Sequence, residues 1–574
     1  MIAIKTLFFL ADKVLNFAKN KTELDQVKYQ KQTMKYLYSF CFFAIISSSL
    51  FGQVEFTHRL EFEAEFLANN FMTSFYKDGI IGFRTMKEKG FSSKLNFEMF
   101  TADFDLNQGP LKKMAVRDNH ELAGYDLDGE IFYVLFQKRN STIGEDRYII
   151  EINLENHQTK EYNLSNVLDM ELKEFYVMEG KVIFMGISES LPVLQLFDLS
   201  TNNIFTAQGI YSKNTEVLQL RKDHELKVLD VLVSKRNQYK VKEVSILTFD
   251  MEGNKLREVN VDRLDDPKLE IIEGILTPFQ EYSQSLIGTF GKQRQEAYQG
   301  IYLIDINEFG ESTKKYYTLE DFPNFYNYLS EKQQARKIKS LEKSLNKGKS
   351  PDIRAAFSTR EVITLGNGYL IYSDLFTANN PRYYPRDGVY ANNMYRMNQF
   401  GPMYNSMMFN DPYFLRGLPY GPGMNNYREG EYKFHAAQLL LLDNDGNIIW
   451  DNSLKLPGKT TNNPGKFGEI SFTGEKLHFM FLDNKMLSLS YIYDGELIFE
   501  NETYEIALID QNERIRETDE NSLMLSWWYD NNYLLSGKQT IRFQDNQNRQ
   551  STKDVFFLTK IAVNGALFDP EKED

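Results

Sequence analysis

The chain is nearly devoid of cysteine. Cys41 is the only one, and it lies in a segment expected to be removed from the mature protein. Disulfides, thiolate metal sites and cysteine nucleophiles are therefore excluded together. Histidine is sparse and scattered, as His58, His120, His157, His224, His435 and His478, without the HExxH spacing that places two ligands on one helix face. No Walker loop, GxSxG elbow or GxGxxG after a strand occurs. No metal or cofactor is expected, and no catalytic residue is assigned. A pair of carboxylates at one point of the fold stays open as a catalytic device, because 80 acids guarantee some neighbours and the sequence does not say which of them converge.

Positive charge is also in short supply. Lys and Arg number 66 against 80 Asp and Glu, a net −14. The first 52 residues hold seven Lys and three acids, which leaves about −18 on the rest. An acidic body repels phosphate backbones and anionic lipid, so nucleic acid is not an expected partner.

What the chain has in quantity is apolar and aromatic residues, 42% and 14% of the total, with 44 Phe and 34 Tyr. That is ample material for a packed interior, and the aromatics favour strands. From Met34 the sequence reads as a secretory signal: Lys35, an apolar run from Tyr36 to Ile46, then small residues with cleavage expected after Gly52. The run is too short for a membrane span, and no transmembrane span is expected in the mature chain. Residues 1–33 have no counterpart later in the chain and are read as a misassigned extension, residues 34–52 as the signal peptide.

Beyond residue 53 one unit recurs: a short apolar strand, an Asp or Asn, a turn of three to five residues, and a more polar strand. The copies lie near Asp105, Asn153, Asp198, Asp250, Asp305, Asp443, Asp510 and Gly565. Gly and Asn accept positive φ at such turns, and Asp or Asn hydrogen-bonds the backbone ahead of it. Strands such as QLLLLD and SILTFD are apolar without alternation, so both faces must be covered. The turns recur about every 50 residues except for one long step between 308 and 445. A constant period with one long step is a repeat array carrying one insertion.

Four short strands fill each period. Upstream partners are visible in LIGTF (286–290), YLIYSDLF (369–376), HFMFLD (478–483) and NYLLSGKQTIRF (532–543), and VEFTHRLEFEAEF (54–66) is placed to complete the final unit. The expected fold is all-β, a single β-propeller over 54–570 with eight blades, or seven if the first or last hairpin is shared. A pair of β-sandwiches is the rival arrangement, without an account of the constant period.

Units such as YLLSGKQTIRF followed by VFFLTKIAVNGAL resemble exported bacterial β-propeller proteins with degenerate kelch-like repeats. The Gly-Gly pairs of kelch units and the Trp-Asp of WD40 units are missing. The resemblance implies a fold and no activity.

The long step, within 322–432, holds two unlike segments. The first predicts a helix over 330–346 with Ser330 as N-cap, carrying Lys332, Arg336, Lys337, Lys339 and Lys343 and followed by Lys347 and Lys349. Such a helix is expected to be tied to the acidic body by ion pairs, or else to bind an anionic glycan, lipid surface or partner. The second segment, 378–432, is rich in Asn, Pro, Gly, Tyr and Met. Its Tyr383, Tyr384, Tyr395, Met403, Tyr404, Met407, Met408 and Tyr413 are the expected partner-binding residues, since adaptable thioethers and aromatics suit protein or sugar contacts. Copper at the methionines is disfavoured by the lack of an accompanying His or Cys. The Asp443–Asn447 stretch imitates the start of a calcium loop but coincides with a repeated turn and lacks the distal Glu. The functional expectation is a non-catalytic scaffold of the cell envelope, periplasmic or on the cell surface, binding a protein or polysaccharide. The alternative is a propeller-fold glycan hydrolase or lyase with a central carboxylate pocket.

Overall fold

The repeated turns are built by the carboxylates and amides the sequence marks out. In the computed structural model, Asp443 Oδ1 accepts the Asn447 backbone N–H and Oδ2 its side-chain amide. Asp103 with Asn107, and Asp250 with Asn254, repeat the arrangement. Asn307 takes the acceptor position opposite the Glu311 N–H. The residue before the fifth position must be left-handed, which suits the glycines Gly253, Gly310 and Gly446 at φ 77°, 83° and 70°. Leu106 holds the same conformation at φ 57°, and its side chain is buried among aromatic rings. Hydrogen bonds to the Asn447 backbone and side chain hold the Asp443 carboxyl below its ordinary range. The calcium-like stretch is thus a turn with its oxygens already engaged.

The structure describes residues 54–564, apart from 65–69, 88–93, 139–145, 165–166, 239–241, 262–263, 265, 267, 281, 293–296, 379–431, 462–464, 545–546 and 548. Within them lie eight antiparallel sheets of four main strands each. Numbered along the chain and given by first and fourth strand, blade 1 runs from Met72–Tyr76 to Lys112–Ala115, blade 2 from His120–Asp128 to Thr159–Leu164, and blade 3 from Glu171–Met178 to Ile204–Thr206. Blade 4 runs from Thr215–Asp223 to Lys255–Val261, blade 5 from Leu269–Ile271 to Ser312–Thr318, and blade 6 from Ala356–Leu365 to Ile448–Lys455. Blade 7 runs from Glu469–Thr473 to Glu496–Glu505. Blade 8 takes its first strand from Arg514–Tyr529 and its fourth from Val54–Glu63, at the other end of the sequence. This is an eight-bladed β-propeller.

The first strands of blades 2 and 3, and those of blades 7 and 8, touch one another, as strands that line a ring's interior do. Second and third strands, such as Ile131–Lys138 and Tyr298–Asn307, are buried almost throughout, whereas fourth strands such as Thr159–Leu164 and Glu496–Glu505 are largely exposed. Continuous apolar strands are therefore what a blade sandwiched between two others requires.

Six of the eight expected hairpins join the third and fourth strands of blades 1 to 6. The other two differ. The turn near Asp510 links blade 7 to blade 8, and the true blade 7 hairpin turns at Asp494-Gly495, between Met486–Tyr493 and Glu496–Glu505. Gly495, at φ 81°, presses on Trp450 of blade 6. The strand Gln550–Val563 leads into the expected turn at Gly565, which lies outside the described residues, and pairs instead with Val54–Glu63.

Arg59 anchors that closing strand. Its guanidinium reaches Gln539 at 2.8 Å, Thr559 at 3.2 Å and Glu61 at 2.6 Å, and lies 4.2 Å from the centre of the Phe557 ring. Truncation leaves the Gln539 and Thr559 oxygens without this donor across the closing seam. Arg59→Ala is expected to cost about 2 kcal/mol in urea unfolding, and to raise hydrogen exchange first in Gln550–Val563. Uniformly faster exchange across all blades would show that the seam is no weaker than the rest of the ring.

Candidate functional site

The eight residues expected to bind a partner, Tyr383, Tyr384, Tyr395, Met403, Tyr404, Met407, Met408 and Tyr413, lie outside the described residues, as does the signal segment 34–52. The structure does fix where the former segment is attached. It joins the second strand of blade 6, Gly368–Ala378, to the third, Tyr432–Asp443, and its ends Ala378 and Tyr432 are paired in the ladder. In an antiparallel blade that connection emerges on the same face as the links between blades. The expected helix is one such link: Glu331–Leu345, with Ser330 as N-cap and Asn346 as C-cap, lies between blades 5 and 6. Both insertions therefore leave the ring on one face, at one blade.

Charge chemistry is concentrated beside them. The first strand of blade 6 has a register shift between Thr359 and Glu361 that sets Arg360 apart from the ladder. Arg360 Nε donates to Asp374 Oδ2 at 2.8 Å with both side chains at 0% exposure. The Tyr372 hydroxyl donates to Asp374 Oδ1 at 2.6 Å, and the Phe467 N–H reaches Oδ2 at 3.1 Å. Burial pushes the Asp374 carboxyl up, and the Arg360 charge opposes that shift. On the other side of blade 6, Glu273 from the break in blade 5's first strand accepts the Thr359 N–H at 2.6 Å and the Ser358 hydroxyl at 3.2 Å.

Next to Arg360, Glu361 shares the Lys466 ammonium with Glu469, at 2.6 Å and 3.1 Å respectively. Glu469 also lies 3.4 Å from the Trp527 N–H of blade 8. Burial would lower the Lys466 pKa, but the two carboxylates outweigh it and hold the ammonium charged. Burial pushes Glu469 up to about 7, with Lys466 opposing. Glu469 can therefore carry or release a proton near neutrality, the property a general acid needs.

A related junction lies across blades 2, 3 and 4. Asp126 Oδ2 accepts the Val177 N–H and the Lys222 ammonium, each at 2.6 Å. Lys222 Nζ also reaches the Leu127 and Val177 carbonyls at 3.2 Å, so all three of its protons are engaged. None of these residues was singled out by sequence reasoning. The available signal was a charge inside an otherwise apolar strand, as in YLIYSDLF, where Asp374 cannot be a turn residue.

The expected ion pairs from the helix to the body are not formed. Among the described residues, Lys332, Arg336, Lys337, Lys339, Lys343, Lys347 and Lys349 make no ion pair, and all are exposed. No helix among the described residues is long and apolar enough to cross a membrane.

No family model and no curated protein matches the sequence. Among solved structures, the β-propeller domain of the Trilobed protease from Pyrococcus furiosus aligns with 76% of this chain and 98% of its own, at 11% identity and a TM-score of 0.32. The Pyrococcus horikoshii acylaminoacyl peptidase aligns with 76% of this chain and 52% of its own, at 12% identity and a TM-score of 0.31. A prolyl endopeptidase aligns with 82% and 54%, at 9% and 0.33. The chain thus spans about half the length of these two peptidases. Nothing in these comparisons supports kelch membership.

Two outcomes test the junctions. Asp374→Ala removes the carboxylate that faces the buried Arg360 guanidinium and is expected to cost about 3–5 kcal/mol in chemical unfolding, with the paired replacement Arg360→Met, Asp374→Leu far milder; equal losses would mean that the charges are not what the site depends on. Glu469 has its ordinary value of 4.5 when unfolded and about 7 when folded. The folded state therefore binds the extra proton, and stability falls as pH rises through that window. Melting temperature is expected to drop from pH 4.5 to 7, and Glu469→Gln to flatten the profile there; an unchanged slope would place the titration on another group.

Proposed function

We propose that the protein is an exported, non-catalytic scaffold of the cell envelope that binds a protein or polysaccharide through the face carrying the two insertions of blade 6. The observation that carries this reading is their convergence. A ring with otherwise short connections has both long ones, 319–355 and 379–431, on one face at one blade. Long connections on a rigid scaffold are where binding residues concentrate. Export rests on the signal-like segment from Met34.

The buried acids support the non-catalytic part. Asp126, Glu273, Asp374 and Glu469 each have a backbone N–H from a neighbouring blade as partner. Asp230 accepts from Thr248 and Gln284, and Asp451 from Asn324. The void beside Asp451, lined by Ile301, Phe322, Phe325, Phe357 and Gln438, measures about 10 Å³, room for one water. Carboxylates bound this way hold blades together. One observation favours the second reading, a glycan hydrolase: Glu361 and Glu469 stand around a single ammonium, the close pairing that glycoside cleavage uses.

The pairing of Ala378 with Tyr432 allows residues 381–429 to be replaced by a short Gly-Ser turn without touching the ladder. That variant is expected to fold with an unchanged melting temperature and to lose at least tenfold in retention by cell-envelope fractions. Retention equal to that of the unaltered chain would refute the reading. Glycan cleavage by the unaltered protein that disappears in Glu361→Gln would establish the hydrolase instead.

A further inference from the structure

The helix Glu331–Leu345 carries its charges in an order that the fold does not need. At 100° per residue, Lys332, Arg336, Lys339 and Lys343, spaced four, three and four apart, fall in one row along the axis. The row is about 16 Å long at 1.5 Å per residue. Gln334, Leu341 and Leu345, among the less exposed residues of the helix, lie on the opposite side, and Leu341 packs on the core of blades 5 and 6. The propeller therefore holds the helix by its apolar edge and turns the four cations directly away from itself. Each is exposed and, among the described residues, without an ion pair. Four like charges in a row repel one another and are unfavourable to the helix; Glu331 and Glu342 stand on the same helix, but among the described residues neither forms an ion pair with the row.

We infer that this row is a docking track for an acidic polysaccharide, a chain of uronic-acid sugars. The inference rests on the reading of the protein as a binding scaffold and names the chemistry of one partner. Three observations single out this class. The track is straight and one side chain wide, matching a narrow chain that carries one carboxylate per sugar. Exposed Gln333 and Ser340 lie along one side of the row and supply amide and hydroxyl groups for sugar hydroxyls. The rest of the protein is acidic, with the whole chain at −14.

That last fact decides against the other polyanions. A nucleic-acid duplex carries one charge per about 1.7 Å around its whole girth, and would bring most of that charge against an acidic protein. An anionic bilayer would do so over a still wider area, and binding there is strengthened by apolar insertion, whereas Leu341 and Leu345 are turned inward. A single sugar-acid chain meets the row alone.

The test uses the full chain, with polygalacturonate as the probe, in calorimetry at 50 and 200 mM NaCl. Binding is expected at the lower salt and at least tenfold weaker at the higher. The variant Lys332→Gln, Arg336→Gln, Lys339→Gln, Lys343→Gln keeps good helix formers and is expected to lose at least tenfold at 50 mM, with circular dichroism and melting temperature unchanged. Lys347→Gln, Lys349→Gln, off the row, is expected to stay within twofold. Methyl-esterified polygalacturonate, which lacks the charge, is expected not to bind. Undiminished binding by the four-site variant overturns the inference, as does tighter binding of single-stranded DNA or of phosphatidylglycerol vesicles. Absence of polygalacturonate binding with envelope retention intact overturns the track alone; loss of both overturns the scaffold reading with it.

Discussion

Junctions on both halves of the ring are set by one repeated contact, a carboxylate taken out of water in the first or second strand of one blade and given a backbone N–H at the next blade as its donor. Asp126 serves Val177, Glu273 serves Thr359, and Asp374 serves Phe467. Apolar burial between blades is larger in total but has no direction, since any two greasy sheet faces attract. A buried carboxylate is different. It costs several kcal/mol to desolvate, and each charge-assisted bond returns about 1.5–3 kcal/mol only in the correct register. The apolar faces supply the attraction, and the carboxylates set which blade positions meet.

The same contact explains why cations sit where they do. Arg360 beside Asp374, and Lys222 beside Asp126, oppose the burial that pushes both carboxyl pKa values up. Lys466 between Glu361 and Glu469 is the limiting case, because one ammonium serves two acids and Glu469 stays near neutrality. Each cluster joins at least two blades, so each is sensitive to the angle between them.

The turns were legible in the sequence and the junctions were not, for a physical reason. A turn is local: Asp250, Gly253 and Asn254 lie within five residues, and their hydrogen bonds follow from their own φ/ψ preferences. The expected count of eight blades came from eight such turns, six of which join third and fourth strands, and VEFTHRLEFEAEF was placed to close the ring. The seventh turn was misplaced because Asp510 has the same Asx chemistry, accepting from Asn512, at a link between blades. Local bonding is identical there, and only the strand pairing tells the two apart. The junctions pair residues far apart in sequence, Glu273 with Thr359 and Asp126 with Lys222, and no spacing rule connects them. The helix was foreseen with its cap and its charges. What its charges face was not, because whether a lysine meets an acid of the body is decided by the placement of blades 5 and 6.

Blade 6 brings these threads together. It interrupts the ring twice, at 319–355 before its first strand and at 379–431 between its second and third, and long connections add entropy that a blade must offset to stay in place. Charged junctions hold it on both sides: Glu273 from blade 5 holds its first strand, and Asp374, Glu361 and Lys466 tie it to blade 7. Its third–fourth turn is clamped as well, with Tyr317 of blade 5 donating to the Gly446 carbonyl and Lys315 to that of Asp445. A blade fixed this firmly can carry long insertions without yielding its register to them. The dense buried charge at blade 6 is therefore better read as the foundation of the face outside it than as a catalytic centre within it.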